Sequence, residues 1–305
     1  MKYITSIWTT ITLCILLLGI RVLDPSLVEQ TRLNSFDQYI QSLPDKESDV
    51  VLLSLGEETL AVHGQYPFPR QTYAQLISDL RNANAGMIAF TLMFPEADRF
   101  GGDEVFISWV KDNGIILAQD ASSRGRSDTA PYVGTATLGA GDAYDFVPKY
   151  KGLVTNIKAL EEVAWGVGLI NAGVEVDNIT RRIPLLSQIN GQLYPAMPLE
   201  IIRVIQDKPS YSLKADLDGI KDVMIPPYEP IKTDYNSSIW LNTNYTHVEY
   251  EYGKDVLPNL QGRTVVVGLS ASGLGVQIPT PQGLFYAHEL QASALQTVMD
   301  GASIS

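Results

Sequence analysis

The sequence predicts an α/β fold: a mostly parallel sheet with crossover helices and an antiparallel extension, in a single large domain on an N-terminal transmembrane helix. Three observations predict it. Short apolar runs typical of buried strands alternate with amphipathic helical patterns, which is the order found in βαβ units. An uncharged apolar run lies at the N terminus. The chain has 305 residues, 45% of them hydrophobic and 18% charged, so it can bury a sizeable core.

The N-terminal run from Tyr3 to Ile20 contains no charged residue and lies between Lys2 and Arg21. As a helix it would be about 27 Å long, close to the hydrocarbon thickness of a bilayer. The following residues lack the small-residue pattern of a signal-peptide cleavage site, so residues 1–23 are predicted to be an uncleaved signal anchor. Because Lys2 favours a cytoplasmic N terminus, we expect a protein of the cytoplasmic (inner) membrane whose bulk is extracytoplasmic or periplasmic.

Residues 24–48 are predicted to be a stalk helix and linker. The apolar residues in the second half of 26–43 follow helical spacing, and Pro44 with a charged run ends the pattern. A homodimer formed through this stalk is a further hypothesis, although the segment is too short to establish a coiled coil. The large domain is expected to extend over residues 49–305, because no repeat or sharp change in composition divides it.

A βαβ unit is predicted next. Asp49–Leu55 has the pattern of a buried strand, residues 57–65 that of a loop, and Met87–Leu92 that of the next strand. Between them, Pro69 suits the first turn of a helix, where its missing N–H has no cost. That helix has one apolar face, formed by Tyr73, Leu76, Ile77 and Leu80. The prolines therefore set the start of the crossover helix at the end of the sheet where open α/β folds bind ligands.

The remaining elements follow the same alternation. Further strands are predicted at 114–119, 166–171, 183–189, 239–241 and 264–269, further helices at 103–110, 198–206 and 285–299, and a helical turn at 255–260. Residues 166–171 and 183–189 are expected to form either an antiparallel hairpin or a sheet extension. Residues 121–142 are expected to be a long polar excursion, and 208–234 a polar, proline-bearing region.

Composition excludes several kinds of function. The net charge of −12 disfavours nucleic acid as a partner, because phosphate binding needs a basic surface. Cys14 is the only cysteine, so neither a disulfide within the chain nor a thiolate metal site is expected. The three histidines lack metal-ligand spacing, and no nucleophile or cofactor motif is present. We therefore expect no catalytic residue, no metal and no cofactor, and the chain is not predicted to be an enzyme.

A glycine-rich segment follows the predicted strand 264–269. It matches neither phosphate-binding loop motif, and prolines replace the helix that such a loop needs, so a structural turn is expected. Two serines of this segment remain candidate ligand contacts, Ser270 and Ser272. Carboxylates also follow strand ends, where such groups can bind a cation, although solvated loop charges are the commoner outcome: Glu57 with Glu58, and Glu96 with Asp98.

Taken together, these segments resemble the type-2 CHASE domain, a cyclase- and histidine-kinase-associated sensory extracellular domain. The resemblance rests on four stretches in order, which are YPFPRQTYAQL, AGMIAFTLMFPEAD, VDNITRRIPLL before YPAMPLEII, and the block from GRTVVVG to TPQG. It covers residues 49–301. The resemblance implies the extracytoplasmic sensory domain of a membrane-anchored signal-transduction receptor. Any cyclase or kinase activity would then lie in a C-terminal output domain.

The chain also departs from this family pattern. Members usually carry aspartate at the positions of Gly56, Thr91 and Val276, and histidine at the position of Gln291. Four positions match the family: Arg70, Arg181, Arg182 and Glu289. If the missing acidic groups line the family's ligand or ion site, this chain is expected to bind a different ligand or none.

The functional expectation is a sensor that binds an unknown small ligand or protein partner and passes a conformational signal to membrane helices. The candidate ligand-binding residues are Arg70, Glu57, Thr91, Glu96, Ser270 and Ser272. For Arg70 two interpretations stay open: its guanidinium offers a bidentate fork to an anionic group, or it ties the proline segment to the stalk through a carboxylate. The alternative function is a structural or assembly protein that uses the same fold as a protein-binding platform at the cell surface.

Overall fold

The structure, a computed structural model, describes residues 7–23, 26–122, 124 and 135–301. The chain divides into two compact units, Met1–Pro44 and Asp45–Ser305. Part of the predicted polar excursion 121–142 and the first residues of the predicted anchor lie outside the described residues.

The described part of the first unit contains two helices, α1 (Ile7–Leu23) and α2 (Ser26–Ser42). The position of α2 confirms the helix predicted over 26–43. Large apolar side chains are exposed along α1, namely Ile7, Trp8, Ile11, Leu13, Ile15, Leu16, Leu17, Leu18 and Val22. Among the described residues, no helix reaches both the length and the apolarity of a membrane span.

The second unit is built from short strands and helices. Its described strands are β1 (Lys46–Leu55), β2 (Ile88–Phe90), β3 (Ile115–Ser122), β4 (Thr135–Gly139), β5 (Lys149–Tyr150), β6 (Gly152–Val154), β7 (Gly166–Leu169), β8 (Arg182–Pro184), β9 (Leu186–Ile189), β10 (Gln192–Pro195), β11 (Tyr211–Asp216), β12 (Gly219–Met224), β13 (Ile231–Lys232), β14 (Ser238–Trp240), β15 (Tyr245–Glu251), β16 (Val265–Leu269), β17 (Gln277–Thr280) and β18 (Gly283–Tyr286). Its described helices are α3 (Glu57–His63), α4 (Arg70–Asn82), α5 (Asp103–Asp112), α6 (Lys158–Glu161), α7 (Met197–Ile205) and α8 (Ala287–Met299).

In the described part of the chain, the central sheet has seven strands in the order β15-β1-β16-β2-β3, with β7 and β6 both pairing with β3. Every neighbouring pair is parallel except β3 with β6. The prediction of a mostly parallel sheet with an antiparallel extension is therefore confirmed. Because the strands are parallel, the carboxyl ends of β2, β3, β7 and β16 lie at one edge of the sheet.

Both faces of the strands β1, β16, β2, β3 and β7 are largely buried, which explains their continuous apolar runs. On one face, Leu52 and Ala89 share a core cluster with residues of α7 and α8. On the other face, Leu53 and Phe90 share a core cluster with residues of α4 and α5. The predicted apolar face of α4 is buried as expected, and the helix begins at Arg70 with Pro69 as its N-cap.

The end of α8 is joined to the beginning of β1. Asp300, the C-cap residue of α8, accepts a hydrogen bond from Lys46 Nζ at 2.6 Å and another from the Tyr245 hydroxyl at 2.7 Å. Lys46 is the first residue of β1, so these contacts join the start of β1 to the C-terminal end of α8.

The prediction of a loop over residues 57–65 is wrong, because Glu57–His63 forms helix α3. The Thr59 hydroxyl accepts the N–H of Gly56 at 3.1 Å and donates to the carbonyl of Tyr252 at 2.6 Å. Glu57 and Glu58 lie in the first turn, where negative charge is favoured by the helix dipole. A contact with a distant part of the chain thus stabilises a helix too short for a clear apolar period.

Of the two alternatives for 166–171 and 183–189, the antiparallel hairpin is wrong, and the sheet extension is confirmed for 166–171. Strand β7 extends the central sheet parallel to β3, whereas β8 pairs with β14 and β9 with β10 and β5. Close packing against α7 holds β7 in this place, since a Cβ atom at Gly168 would lie 2.4 Å from the Cα of Met197. No helical turn occurs at 255–260 in the described chain, where Pro258 disfavours helical backbone at the preceding residue.

Several strands have no counterpart among the predicted elements. The polar region 208–234 contains β11, β12 and β13, which form a four-stranded sheet with β4 in the described chain. The edge strand β15 pairs with β1, and β17 forms a hairpin with β18. These strands are short or carry polar side chains at alternate positions, so their apolar runs are weak.

Candidate functional site

A cavity of about 840 Å³ lies at the carboxyl ends of β2, β3, β7 and β16. Four chain segments form its walls: residues 66–73, 91–99, 170–172 and 269–278. Asp120 of β3 and Ala287 at the start of α8 complete the lining. Most lining side chains are apolar, and a few polar and charged groups lie among them, which is typical of small-molecule sites.

The proline segment 66–70 forms one wall through a cluster of aromatic rings. Phe68 packs edge-on against Tyr73, and Tyr73 packs edge-on against Phe94 with 5.0 Å between ring centroids. Phe106 of α5 lies beneath them, 4.9 Å from Phe94. Such edge-to-face pairs stabilise beyond their buried area. The stiff aromatic segment therefore holds both the start of α4 and the cavity wall in place.

Arg70 is almost fully buried beside the cavity, with 9% of its side chain exposed. Its Nη2 donates to the carbonyl of Glu96 at 2.9 Å, and its Nε lies 3.4 Å from Oδ1 of Asp103. The guanidinium also lies 4.6 Å from the ring centroid of Phe94. The carboxylate partner of Arg70 is thus a residue of α5, which differs from the stalk contact considered from the sequence.

Asp98 is held by the backbone at the start of α4 and α5. Its carboxylate accepts the N–H groups of Arg70 at 3.1 Å, Phe100 at 3.2 Å and Gly102 at 2.9 Å. Burial opposes ionisation, but these hydrogen bonds and the charge of Arg70 outweigh it, so the pKa of Asp98 lies below its ordinary value. Asp98 therefore stays ionised and shapes the loop at the cavity rim.

Asp120 is half-buried at the end of β3. Its Oδ1 accepts a hydrogen bond from Asn171 Nδ2 at 2.7 Å. Burial raises the pKa of Asp120 above its ordinary value, and the hydrogen bond from Asn171 offsets part of that rise. Among the described residues, Asp120 has no basic side chain as an ion-pair partner.

The structure separates the six predicted ligand-binding residues into two groups. Arg70, Thr91 and Glu96 line the cavity, where the Thr91 hydroxyl donates to the carbonyl of Val267 at 3.0 Å. The other three, Glu57, Ser270 and Ser272, lie outside the cavity lining.

The second group lies at the ends of β1 and β16. The N–H of Ser272 donates to Oε1 of Glu57 at 2.8 Å, and the N–H of Ser270 donates to the carbonyl of Leu55 at 3.1 Å. The glycine-rich segment is a turn, as expected, closed by bonds from the N–H groups of Leu274 and Gly275 to the carbonyl of Ala271. These hydrogen bonds therefore stabilise the turn itself.

Two of the positions that depart from the family pattern, Thr91 and Val276, line the cavity. The third, Gly56, packs against another acid, because a Cβ atom there would lie 2.3 Å from Oε1 of Glu251. Gln291 is buried and donates through Nε2 to the carbonyl of Ile170, at 3.1 Å. The cavity therefore lacks two of the carboxylates that the resemblance implies.

Sequence reasoning missed Asp120 and Asn171. The predicted strand 114–119 stops one residue before Asp120, and a carboxylate directly after a buried parallel strand points to the ligand-binding edge of a sheet. The same rule selected Glu57 and Glu96. Asn171 had no comparable signal, because its role depends on the pairing of β7 with β3.

A separate buried polar group lies behind the cavity, around His288. The Ser54 hydroxyl donates to the carboxylate of Glu249, so Nε2 of His288, 3.0 Å away, is the donor to Ser54 Oγ. Burial, with a smaller effect of the nearby His247, lowers the pKa of His288 to about 4. In this arrangement Nε2 already carries a proton, so it does not accept the serine proton. No cluster of described residues has the composition of a metal site.

Comparison with known proteins gives one match. A family model described as the CHASE2 domain matches residues 11–305 of the chain. Searches of curated proteins and of solved structures gave no significant match.

Proposed function

The chain belongs to the CHASE2 domain family, a family of sensory extracellular domains, and on that premise we propose that its second unit is a sensory domain whose ligand binds in the cavity at the strand ends. The cavity carries this proposal. Its volume of about 840 Å³ lies within the range of small-molecule sites, and its walls combine buried aromatic rings with a few polar groups. We further propose that the unit catalyses no reaction itself.

Sensing requires that the ligand favours one of two conformations of the unit. The walls of the cavity come from four separate chain segments, so a bound ligand would bridge them and favour the arrangement in which they lie closest. We propose that the resulting change is passed along the chain to the helices of the first unit.

We also propose that α1 anchors the protein in the cytoplasmic membrane, with the second unit on the extracytoplasmic side. The exposed apolar side chains along α1 support this, because a contiguous apolar surface of this kind is rarely left in water. The absence of charge between Tyr3 and Ile20 supports it as well.

The ligand site is tested by Val276→Trp. Val276 lines the cavity but is 66% exposed, so a larger side chain there would obstruct the site without disturbing the core. We expect fragments that bind the wild-type protein in ligand-observed NMR to lose at least about tenfold in affinity, roughly 1.4 kcal/mol. Val256→Trp is the matched control, since Val256 is 92% exposed and lies outside the lining. Equal binding by both variants would place the ligand site elsewhere.

The anchor is tested by Leu16→Asp in the full chain. Leu16 is 57% exposed near the middle of α1, and an aspartate at the centre of a membrane helix costs about 2.5–3.5 kcal/mol of insertion free energy. We expect a smaller fraction of the variant to float with liposomes in a density gradient. Val28→Asp in α2 is the control and should float like the wild type. If neither the wild type nor the control floats with liposomes, α1 is not an anchor.

A further inference from the structure

The charged groups around the cavity differ in how far they are already neutralised. Two arginines and three carboxylates belong to the lining, Arg70, Arg99, Glu96, Asp98 and Asp120, which gives a net charge of −1. Glu96 and Arg99 are both exposed at the rim, where water screens their charges. The buried groups therefore decide which ligand charge the interior favours.

The positive charge of Arg70 is partly compensated by its neighbours. Asp103 Oδ1 lies 3.4 Å from Nε without hydrogen-bonding it, the carbonyl of Glu96 accepts from Nη2, and the ring of Phe94 covers the guanidinium face. An anionic ligand would have to displace these contacts from a side chain that is only 9% exposed. The interpretation of Arg70 as an anion fork is therefore disfavoured by its surroundings.

The negative charge of Asp120, in contrast, has no charged partner among the described residues. An amide of Asn171 is its hydrogen-bond donor, and an amide supplies no charge. Among the residues that the structure describes, no lysine, arginine or histidine pairs with this carboxylate. A half-buried carboxylate without a counter-ion gains when a cation enters beside it, because the surrounding dielectric is lower than that of water.

Asp120 also lies on the same face of the sheet as Thr91, the position at which family members usually carry aspartate. Ala89 and Ala118 belong to the same core cluster, and side chains alternate along a strand. Thr91 follows Ala89 by two residues and Asp120 follows Ala118 by two residues, so both project from the same face at the carboxyl edge. On this face of the sheet the cavity therefore has a carboxylate from β3, Asp120, and a threonine after β2.

The remaining walls favour a ligand with an apolar body. Tyr66, Phe68, Tyr73 and Phe94 contribute aromatic rings. The Arg70 guanidinium already covers Phe94, and Tyr66 is the one of these four that is partly open to solvent, so Tyr66 is the ring that a ligand reaches first. Aromatic faces attract organic cations through the ring quadrupole, most strongly where water is excluded. Resting on the function proposed above, we infer that the cavity binds a small organic cation, an amine or quaternary ammonium with an apolar body, with Asp120 as its counter-ion.

The test compares probes of similar shape and different charge. Benzylamine and benzyltrimethylammonium are the cations, benzyl alcohol is the neutral probe and benzoate is the anion, each titrated into the 305-residue chain at pH 7 by NMR. We expect the cations to bind at least about tenfold more tightly than the other two. Asp120→Asn should remove this preference and leave benzyl alcohol unchanged, since asparagine can still accept from Asn171.

Matched variants protect the test against effects of folding or of overall charge. Asp218→Asn removes the same charge at an exposed turn outside the cavity and should bind the probes like the wild type. Val276→Lys places an ammonium at the exposed rim and should weaken the cations alone, whereas Val256→Lys should not.

The outcomes separate the two proposals. Equal affinity for all charges, or a cation preference that survives Asp120→Asn, would overturn the organic cation and leave the ligand cavity standing. Failure of every probe to bind the wild type would count against the cavity itself, and therefore against the proposed function. Tighter binding of benzoate would reverse the assigned charge and restore Arg70 as the ligand contact.

Discussion

Phe106→Ala is expected to lower the free energy of unfolding by about 3–5 kcal/mol, the range for removing a large side chain from a packed core. Phe106 is fully buried and packs against three other rings, those of Tyr73, Phe90 and Phe94. The substitution leaves a void beneath the wall that carries the proline segment. Urea denaturation followed by circular dichroism measures the effect.

Phe100→Ala is the control for this prediction. Phe100 is 55% exposed, and exposed substitutions usually change stability by less than about 0.5 kcal/mol. A similar loss in both variants would mean that the aromatic cluster contributes no more than an exposed ring. Binding of fragments to the cavity should weaken in Phe106→Ala even under conditions where the variant is fully folded, because the wall loses its support.

Asp177→Ala is expected to cost about 3–5 kcal/mol of unfolding free energy, the range for removing one partner of a buried ion pair. The side chain of Arg181 is completely buried, and its two Nη atoms donate to the Asp177 carboxylate at 2.9 and 2.7 Å. The neighbouring N–H of Thr180 donates to the carbonyl of Pro279 in β17. Loss of the ion pair should therefore also loosen the cavity wall that β17 forms.

The pH dependence of this effect has a defined sign. The hydrogen bonds from Arg181 lower the pKa of Asp177 below its ordinary value, although burial opposes them. A group with a depressed folded pKa stabilises above its unfolded pKa, about 3.9 for aspartate, and the contribution is lost as pH falls through the folded pKa. The difference in stability between wild type and Asp177→Ala should thus be constant near neutral pH and shrink below about pH 4.

Glu162→Ala provides the matched control for the ion pair. Glu162 pairs with Lys158 at the same sequence spacing, but both side chains are mostly exposed. Exposed pairs of this kind contribute about 0.3–0.5 kcal/mol, so this variant should remain close to the wild type. A cost for Asp177→Ala as small as that of Glu162→Ala would show that the burial of Arg181 does not depend on its carboxylate.

The sequence was sufficient to predict the elements whose own side chains determine their structure. Helix α4 has a full apolar face and a proline before its first residue, and α8 and the strands β1 and β16 have long apolar patterns. Alternation of such elements also predicts a parallel sheet and the edge at which ligands bind. The positions of Arg70 and Thr91 beside the cavity follow from that geometry.

Other features depend on contacts between distant parts of the chain and could not be predicted in this way. Helix α3 relies on the contact of Thr59 with Tyr252. The pattern of β7 suits a hairpin as well as a sheet extension, and its place in the sheet depends on glycines that let α7 approach closely. The contribution of Asp120 depends on which side chains lie within reach of it, and sequence spacing carries no information about a missing counter-ion.

The contact of Lys46 with Asp300 joins the end of α8 to the first residue of β1. The helix has 13 residues, about 20 Å of rod, with the cavity at Ala287 and the first residue of the sheet at its far end. Stretching a helix breaks its hydrogen bonds, so α8 would carry a displacement of Ala287 along its axis to the other end as a rigid rod. If the unit is the sensor proposed above, we expect the strength of its response to follow how far a bound molecule displaces Ala287. Two molecules of equal affinity could then differ completely, one acting as an agonist and the other as a silent occupant.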